Sequence, residues 1–557
     1  MPRFRPSILA LLLTLALLLF LWLPPLQLYG EALWRVLWHQ PARLIEALPL
    51  QPLQRFLFLN TLALCASSAA FALLFGIPVG AACARGPHRL RNVFTVLCIL
   101  PLALPPMLAA SAWLEITRTP PARSMASLAA KTASPLPPVL VASLVLALCF
   151  FPIVALWLRA VLMGISPDIE DAARSLGSEW TMWQRVLVPL LWPALAGAMG
   201  LVCALAMWEM GAPDLLDART YSVEIYRQLN AGDNLDVAGK YTKVALEGVP
   251  MLFLGLLALW PAARALRRFD RYGAATHDSW RSDTSTRRES RLIIPWAVLV
   301  LLLSPGAVLG VFLSQLRPLN ILWESWASND VEIINTMRLA TLGALFITAM
   351  ALLLVPAWRA WPSRLRQTAL TLCVAPLLVA PILLGVALIN FWNRPGLSIV
   401  YGDWPLTGIT FLDQMQQWVA RDGMMLIGYV ARFAPLAILL LYEAVRRIDN
   451  SQIEAAQNLG ANSSHIGRTI ILPLLAPAAL ATYALLWALC GGELSTSVLI
   501  NQPGGQTLPV PIFNQMHIGS TAEVAALSLT LFALCGGALL LATVLIRFLL
   551  RHITPGR

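Results

Sequence analysis

Charge is what this 557-residue chain has least of. Asp, Glu, Lys and Arg together make 12% of it, against 58% hydrophobic residues and a mean hydropathy of +0.70. That balance is too apolar for a soluble globular protein and places the chain in a bilayer. Lysine is nearly missing, three among 40 basic residues, so the basic character is carried by arginine. The eight cysteines (Cys65, Cys83, Cys98, Cys149, Cys203, Cys373, Cys490 and Cys535) all fall inside apolar runs with no C-x-x-C pair, which indicates neither a disulfide framework nor a zinc site. A phosphate-cradling G-x-x-x-x-G-K-[ST] loop is also absent. The nearest approach, Gly232 to Tyr241, has six residues between its glycines and a tyrosine after Lys240. There is no nucleophile elbow, no H-E-x-x-H and no clustered pair among the six histidines, so neither hydrolytic nor haem chemistry is indicated.

What is present is a series of long apolar runs. Ile8 to Leu23 follows Arg3 and Arg5 and ends at Pro24-Pro25 without a small-residue cleavage site, which reads as an uncleaved first span. Further spans lie near 56–84, 92–114, 136–158, 186–208 and 244–263, then 292–316, 339–358, 367–393, 423–442, 469–492 and 524–546. Most reach the roughly 20 residues needed to cross a ~30 Å hydrocarbon core as a helix. The expectation is an all-α polytopic membrane protein of about 12 helices, six per half. Threaded with the N-terminus inside, Arg and Lys concentrate on one side, which makes that side and both termini cytoplasmic. The net charge of +11 is thereby a matter of membrane topology, with no nucleic-acid partner implied. Arg264 to Arg291, with eight arginines and no apolar run, reads as a linker: residues 1–268 form a first membrane unit, 269–291 the linker and 292–557 a second unit.

The halves repeat one sentence. PDIEDAARSLGSEWTMWQRVLVP (167–189) returns as SQIEAAQNLGANSSHIGRTIILP (451–473). Glu170, Asp171, Ala172, Ala173 and Gly177 answer to Glu454, Ala455, Ala456 and Gly460, with Pro473 closing the second copy. Each copy reads as a short helix, a glycine break at positive φ and a second short helix, with Ser451 and Glu454 at capping-box spacing. Because six is even, the halves are parallel repeats about an axis along the membrane normal. Pro152 matches Pro435, Glu209 matches Glu493, and TYSVEIY (220–226) parallels TLPVPIF (507–513).

The pattern E-A-A, three residues, Gly, nine residues, I-x-L-P closely resembles the cytoplasmic signature loop of permease subunits of binding-protein-dependent ABC importers. The second copy fits at every position. The first has Asp171 for the Glu and one residue fewer before Pro189. The resemblance implies the type I ABC importer permease fold in a bacterial inner membrane, one chain supplying both permease units. It further implies two copies of an ABC ATPase docked on the two loops, a periplasmic substrate-binding protein, no cofactor on this chain, and ATP and Mg on the partner. A secondary transporter, which also uses parallel repeats, is the rival from another class.

Three ionisable residues stand at or near membrane depth, where charge is costly and marks a pathway or an ion pair. Glu209 and Glu493 each end the span after a signature loop, and Arg432 lies within the span before the second loop, where the first half has Cys149. They are candidates for the substrate path; the alternative is that the glutamates are hydrated at the interface and Arg432 is a packing partner. Residues 492–529 resemble the corresponding stretch of fused ferric-iron permeases, and thiamine, polyamine and phosphonate permeases resemble it too. Paired carboxylates suit a hard cation such as Fe3+, and Arg432 would suit an anionic cargo. No metal ligand is assigned.

Overall fold

The computed structural model describes residues 8–39, 51–118, 137–163, 165, 183–230, 237–272, 286–394, 410–519 and 521–553. Among these residues the chain is helical, with no strand. Ten helices are long and apolar enough to cross a membrane. Two bent pairs, Leu90–Ala103 with Pro106–Ile116 and Ser363–Leu378 with Pro381–Trp392, bring the number to 12 if each counts as one span. The all-α polytopic reading holds.

Two local expectations are corrected. The runs at 92–114 and 367–393 are not straight spans but bend by 92° and 100°. In each, a tight turn (Leu100–Ala103, Ala375–Leu378) runs into a helix that begins on a proline, Pro106 or Pro381. A proline has no N–H to continue the ladder and clashes with the preceding turn, so the helix stops and restarts in a new direction. The first helix, by contrast, does not end at Pro24-Pro25 but runs from Ile8 to Trp38 with both prolines buried inside it. Packed neighbours let a membrane helix keep its course across missing donors.

The compact units do not follow the halves 1–268 and 292–557. One consists of Met1–Pro41, Asn234–Leu246 and Asn320–Arg557; the other of Ala42–Asp233 and Glu247–Leu319. Each half thus lends its first helix to the other half's unit. In the first of these units, the Ile8–Trp38 helix buries Leu17, Leu21, Leu28, Ala32 and Val36 on one face while Leu12, Leu15, Leu19 and Leu26 stay exposed. Helix association in lipid draws on packing and hydrogen bonds rather than on water exclusion. Both are present: Trp22 Nε1 donates to Leu372 O at 2.9 Å, Trp358 Nε1 to Thr14 Oγ1 at 3.0 Å, and Glu31 accepts from Asn390 at 3.2 Å and pairs with Arg394. Hydropathy reports that a span exists, not which bundle it joins, so this exchange left no mark in the sequence.

In the second unit, Pro52–Arg85 lies against Pro138–Leu162 along a small-residue stripe. Gly76 and Gly80 form a G-x-x-x-G pair. A Cβ on Gly76 would meet Val154 Cβ at 2.7 Å, and one on Gly80 the Ala155 carbonyl oxygen at 2.7 Å. The backbones approach too closely for any side chain there. The Ala307–Gln315 helix joins this unit through its neighbour, Ser304 Oγ donating to Leu148 O at 2.6 Å. Gly80→Val is expected to cost about 2–3 kcal/mol by overpacking, whereas Gly310→Val, where an added Cβ meets nothing within 4 Å, should stay within about 0.5 kcal/mol of the parent. Thermal unfolding of the two variants in the same detergent measures the difference; equal midpoints would contradict the close approach.

Candidate functional site

The second signature loop begins where a long helix, Thr410–Arg446, ends. Asp449, not Ser451, caps the next helix, Asn450–Asn458: its carboxylate accepts from the Ser451 N–H at 3.0 Å. The capping-box spacing misled because Asp449, two residues earlier, reaches the same orphan donors with a charged acceptor. That backbone bond holds the fully exposed Asp449 below the usual carboxylate range. At the other end the Ala461 N–H donates to Ala456 O at 3.0 Å and the Gly460 N–H to Gln457 O at 2.9 Å, with Gly460 at φ +83. This is the glycine-terminated helix end that the sequence implied. Asn462 Oδ1 then accepts from the His465 N–H at 2.8 Å to start Ser463–Ile466. A π turn, Gly467–Ile471, leads into Leu472–Gly491 with Pro473 in its first turn.

The loop is held at its base. Arg359, which the sequence reading passed over, donates to Val445 O at 3.2 Å, to Ile448 O at 3.4 Å and to Asn450 Oδ1. A guanidinium on the last carbonyls of a helix suits the negative end of its dipole. Beyond that anchor the Asn450–Asn458 helix has no buried residue, Glu454 and Ala455 are exposed, and Leu459 is 88% exposed. Glu170, Asp171, Ala172, Ala173 and Gly177 of the first copy lie outside the described residues. The chain just beyond them repeats the second copy: a π turn at Trp183–Leu187 and then Val188–Trp208 with Pro189 in its first turn. These stand the same number of residues before Gly467–Ile471 and Pro473 as Glu209 stands before Glu493.

Both glutamates have a local backbone role. Glu209 Oε1 accepts from the Gly211 N–H at 3.1 Å and the Ala212 N–H at 3.5 Å, at the start of Gly211–Leu215. Glu493 Oε1 accepts from the Thr496 N–H at 2.7 Å, ahead of Ser497–Ile500. Glu493, with its side chain 3% exposed, also forms an ion pair with Arg432, 24% exposed. Cys149, at Arg432's place in the first half, is buried. The structure brings two of the three candidate path residues together.

Other polar groups were missed. Asp422, with no exposed side-chain surface, pairs with Arg338 at 2.8 Å and Arg421 at 3.3 Å. The 244–263 run is not charge-free: Glu247 lies within it, buried, and accepts from Gln54 and Gln228, each at 3.0 Å. A single acid in an otherwise apolar run was the signal available in the sequence.

Residues 354–557 match the family model described as "Binding-protein-dependent transport system inner membrane component". Among curated proteins, a probable ABC transporter permease of Sinorhizobium fredii is 25% identical over 403 residues, covering 67% of this chain and 66% of that protein. An Fe(3+)-transport system permease of Haemophilus influenzae is 24% identical over 404 residues, 70% of this chain and 73% of that one. The spermidine/putrescine transport system permease PotC of Escherichia coli is 31% identical over 110 residues, 20% of this chain and 42% of that one. Residues 354–557 are therefore similar to this inner-membrane family, and the relatives named are transport permeases.

Glu493→Gln deprives the Arg432 guanidinium of this counter-charge. Breaking a buried pair costs about 3–5 kcal/mol; since Arg432 keeps 24% exposure, roughly 2 kcal/mol is expected after solvent screening. Glu209→Gln, which weakens a cap, should cost under about 1 kcal/mol. Thermal unfolding of both variants tests the asymmetry, and equal losses would mean that the ion pair stabilises no more than the cap does.

Proposed function

We propose that this chain is the membrane-spanning subunit of an ATP-driven importer, supplying both permease units and moving a cargo received from a periplasmic binding protein into the cytoplasm. The observation that carries the reading is the 449–473 loop: two short helices about Gly460, anchored by Arg359, with no buried residue in the first and a leucine left in the open. A helix that buries nothing of its own gains stability by docking on something else. In this reading two copies of an ABC ATPase occupy the two signature loops, with ATP and Mg held on those subunits, no cofactor bound here, and both termini cytoplasmic. The likeness of residues 354–557 to inner-membrane transport components supports it.

For cargo we propose ferric iron, supported by the likeness to an Fe(3+)-transport permease. A polyamine is the second reading, supported by the likeness to a spermidine/putrescine permease. Both are cations, for which a carboxylate on the path is the suitable contact. Glu209 and Glu493 are the candidate acids of such a path, Glu493 standing in an ion pair with Arg432.

The test is ATP turnover by the chain reconstituted with an ABC ATPase, with binding protein loaded with Fe3+ or with spermidine added in turn. Turnover that rises only with loaded binding protein is expected, and the more effective loading names the cargo. Uptake driven by an ion gradient through the chain alone would overturn the reading in favour of a secondary transporter. Gly460→Val, which forces a β-branched residue to positive φ at roughly 1–2 kcal/mol, is expected to weaken ATPase binding about ten-fold. Gly460→Asn should retain binding, and unchanged binding in both variants would remove the left-handed cap from the docking role.

A further inference from the structure

At the ends of Val188–Trp208 and Leu472–Gly491 that face away from the signature loops, the same small device occurs twice. In one unit, Asn335 Nδ2 donates to Gln506 O at 3.1 Å and to Gly504 O at 2.9 Å, while Thr336 Oγ1 accepts from the Leu508 N–H at 2.7 Å and donates to Glu332 O at 2.7 Å. In the other, Asn60 Nδ2 donates to Arg219 O at 3.0 Å, and Thr61 Oγ1 accepts from the Tyr221 N–H at 3.2 Å. Arg219 and Gln506, like Tyr221 and Leu508, are equivalent in the TYSVEIY and TLPVPIF alignment. An Asn-Thr pair on a spanning helix thus grips the same carbonyl and the same N–H in both repeats.

The gripped segment has a specific shape. Two residues before the held carbonyl stands a left-handed residue, Gly504 at φ +76 and Asp217 at φ +53, the one non-glycine at positive φ among the described residues. An aspartate held there costs about 1 kcal/mol, so the shape is imposed rather than relaxed. Pro503, Gly504 and Gln506 are exposed while Gln502, Gly505 and Thr507 are buried, and Asp217 and Arg219 are exposed on either side of a buried Ala218. Each segment is a turn showing its tip, with its root hydrogen-bonded to a helix. The second is braced further: Arg338 donates to Asn335 Oδ1 at 2.9 Å and to the buried Asp422 at 2.8 Å, turning the Asn335 NH2 toward the carbonyls it holds.

We propose that Asn60–Thr61 and Asn335–Thr336 are positioning clasps that fix these two turns to the Pro52–Arg85 and Asp330–Ala357 helices, so that each turn moves with its helix and presents its tip to the periplasmic binding protein. The clasp is a property of this chain; its use in receiving the binding protein rests on the permease reading. A tip that swings freely would have to be ordered on every encounter and would weaken docking, whereas a fastened one is pre-organised.

The test compares Thr336→Val and Thr61→Val with Thr336→Ser and Thr61→Ser. In the whole chain in lipid nanodiscs, backbone hydrogen exchange is followed at 501–510 and at 217–224. Each valine variant is expected to speed exchange of its own segment by about ten-fold or more, and each serine variant, which keeps the hydroxyl, to match the parent. In the complex with the ATPase, the valine variants should raise the concentration of binding protein that half-maximally stimulates ATP turnover by about five-fold, the double variant by more, with basal turnover unchanged. Unaltered exchange overturns the clasp. Faster exchange with unaltered half-maximal concentration overturns its docking role, and so does a valine variant that fails to assemble while its serine counterpart assembles. Should the parent complex show no stimulation by any binding protein, the permease reading falls and the docking role with it, while the exchange measurement still decides the clasp.

Discussion

Inside a bilayer no water is at hand to satisfy a backbone N–H or C=O, and an unpaired one costs several kcal/mol. Every departure from the helix in this chain therefore has to be answered by a side chain or a tight turn. Glu209 and Glu493 answer the first N–H groups after their spans. Thr61 and Thr336 answer the N–H at the start of the next helix, and Asn60 and Asn335 the carbonyls just before it. These polar side chains of an apolar chain are spent at helix breaks. A charged fraction of 12% suffices because the regular spans need almost none.

The two repeats agree where the backbone must be satisfied and diverge where charge is added. The bend before Pro106 and Pro381, the π turn ahead of Pro189 and Pro473, the capping glutamate and the Asn-Thr grip all occur twice. The Arg432–Glu493 pair and the Arg338–Asp422 pair occur in one unit alone among the described residues, with Cys149 and Ala63 at the arginines' places in the other. Backbone satisfaction is a requirement of the fold and binds both copies. A buried ion pair is not, since an apolar pair of similar volume is often as stable, so one copy could acquire it without the other.

Much of this was legible in the sequence and some could not have been. Apolar length found the spans, and the repeated E-A-A and glycine spacing found the loop, because both are local signals carried by consecutive residues. Gly460 was read as a left-handed helix end from its position alone, and its φ of +83 agrees. The exchange of first helices, the Arg432–Glu493 contact and the Arg359 anchor join residues tens to hundreds of positions apart, and nothing in one sequence links them. Asp449 was overlooked for a different reason: a serine at ideal capping-box spacing competed with an aspartate two residues earlier, and the charged acceptor took the cap. The acid at 247 was hidden by its neighbours, since a window average over an apolar run absorbs one charge.

The Leu472–Gly491 helix ties the two ends of its unit together. Its 20 residues rise about 30 Å, the thickness of the hydrocarbon core. One end grows out of the exposed loop through a π turn and Pro473, where the ladder is already interrupted and can yield. The other end runs straight into Glu493, whose carboxylate holds both the Thr496 N–H and the Arg432 guanidinium. A displacement imposed on the loop meets a compliant joint first, then a rod, then a charged contact with the neighbouring Thr410–Arg446 helix, which itself ends beside the loop where Arg359 grips its last carbonyls. The loop is thus joined to both helices of the pair, one through the chain and one through hydrogen bonds, and the pair is joined again across the membrane by the ion pair. Sliding one helix of such a frame past the other would break the Arg432–Glu493 contact, so the frame favours tilting of the pair as a unit, the motion that the proposed ATPase-docking role would use.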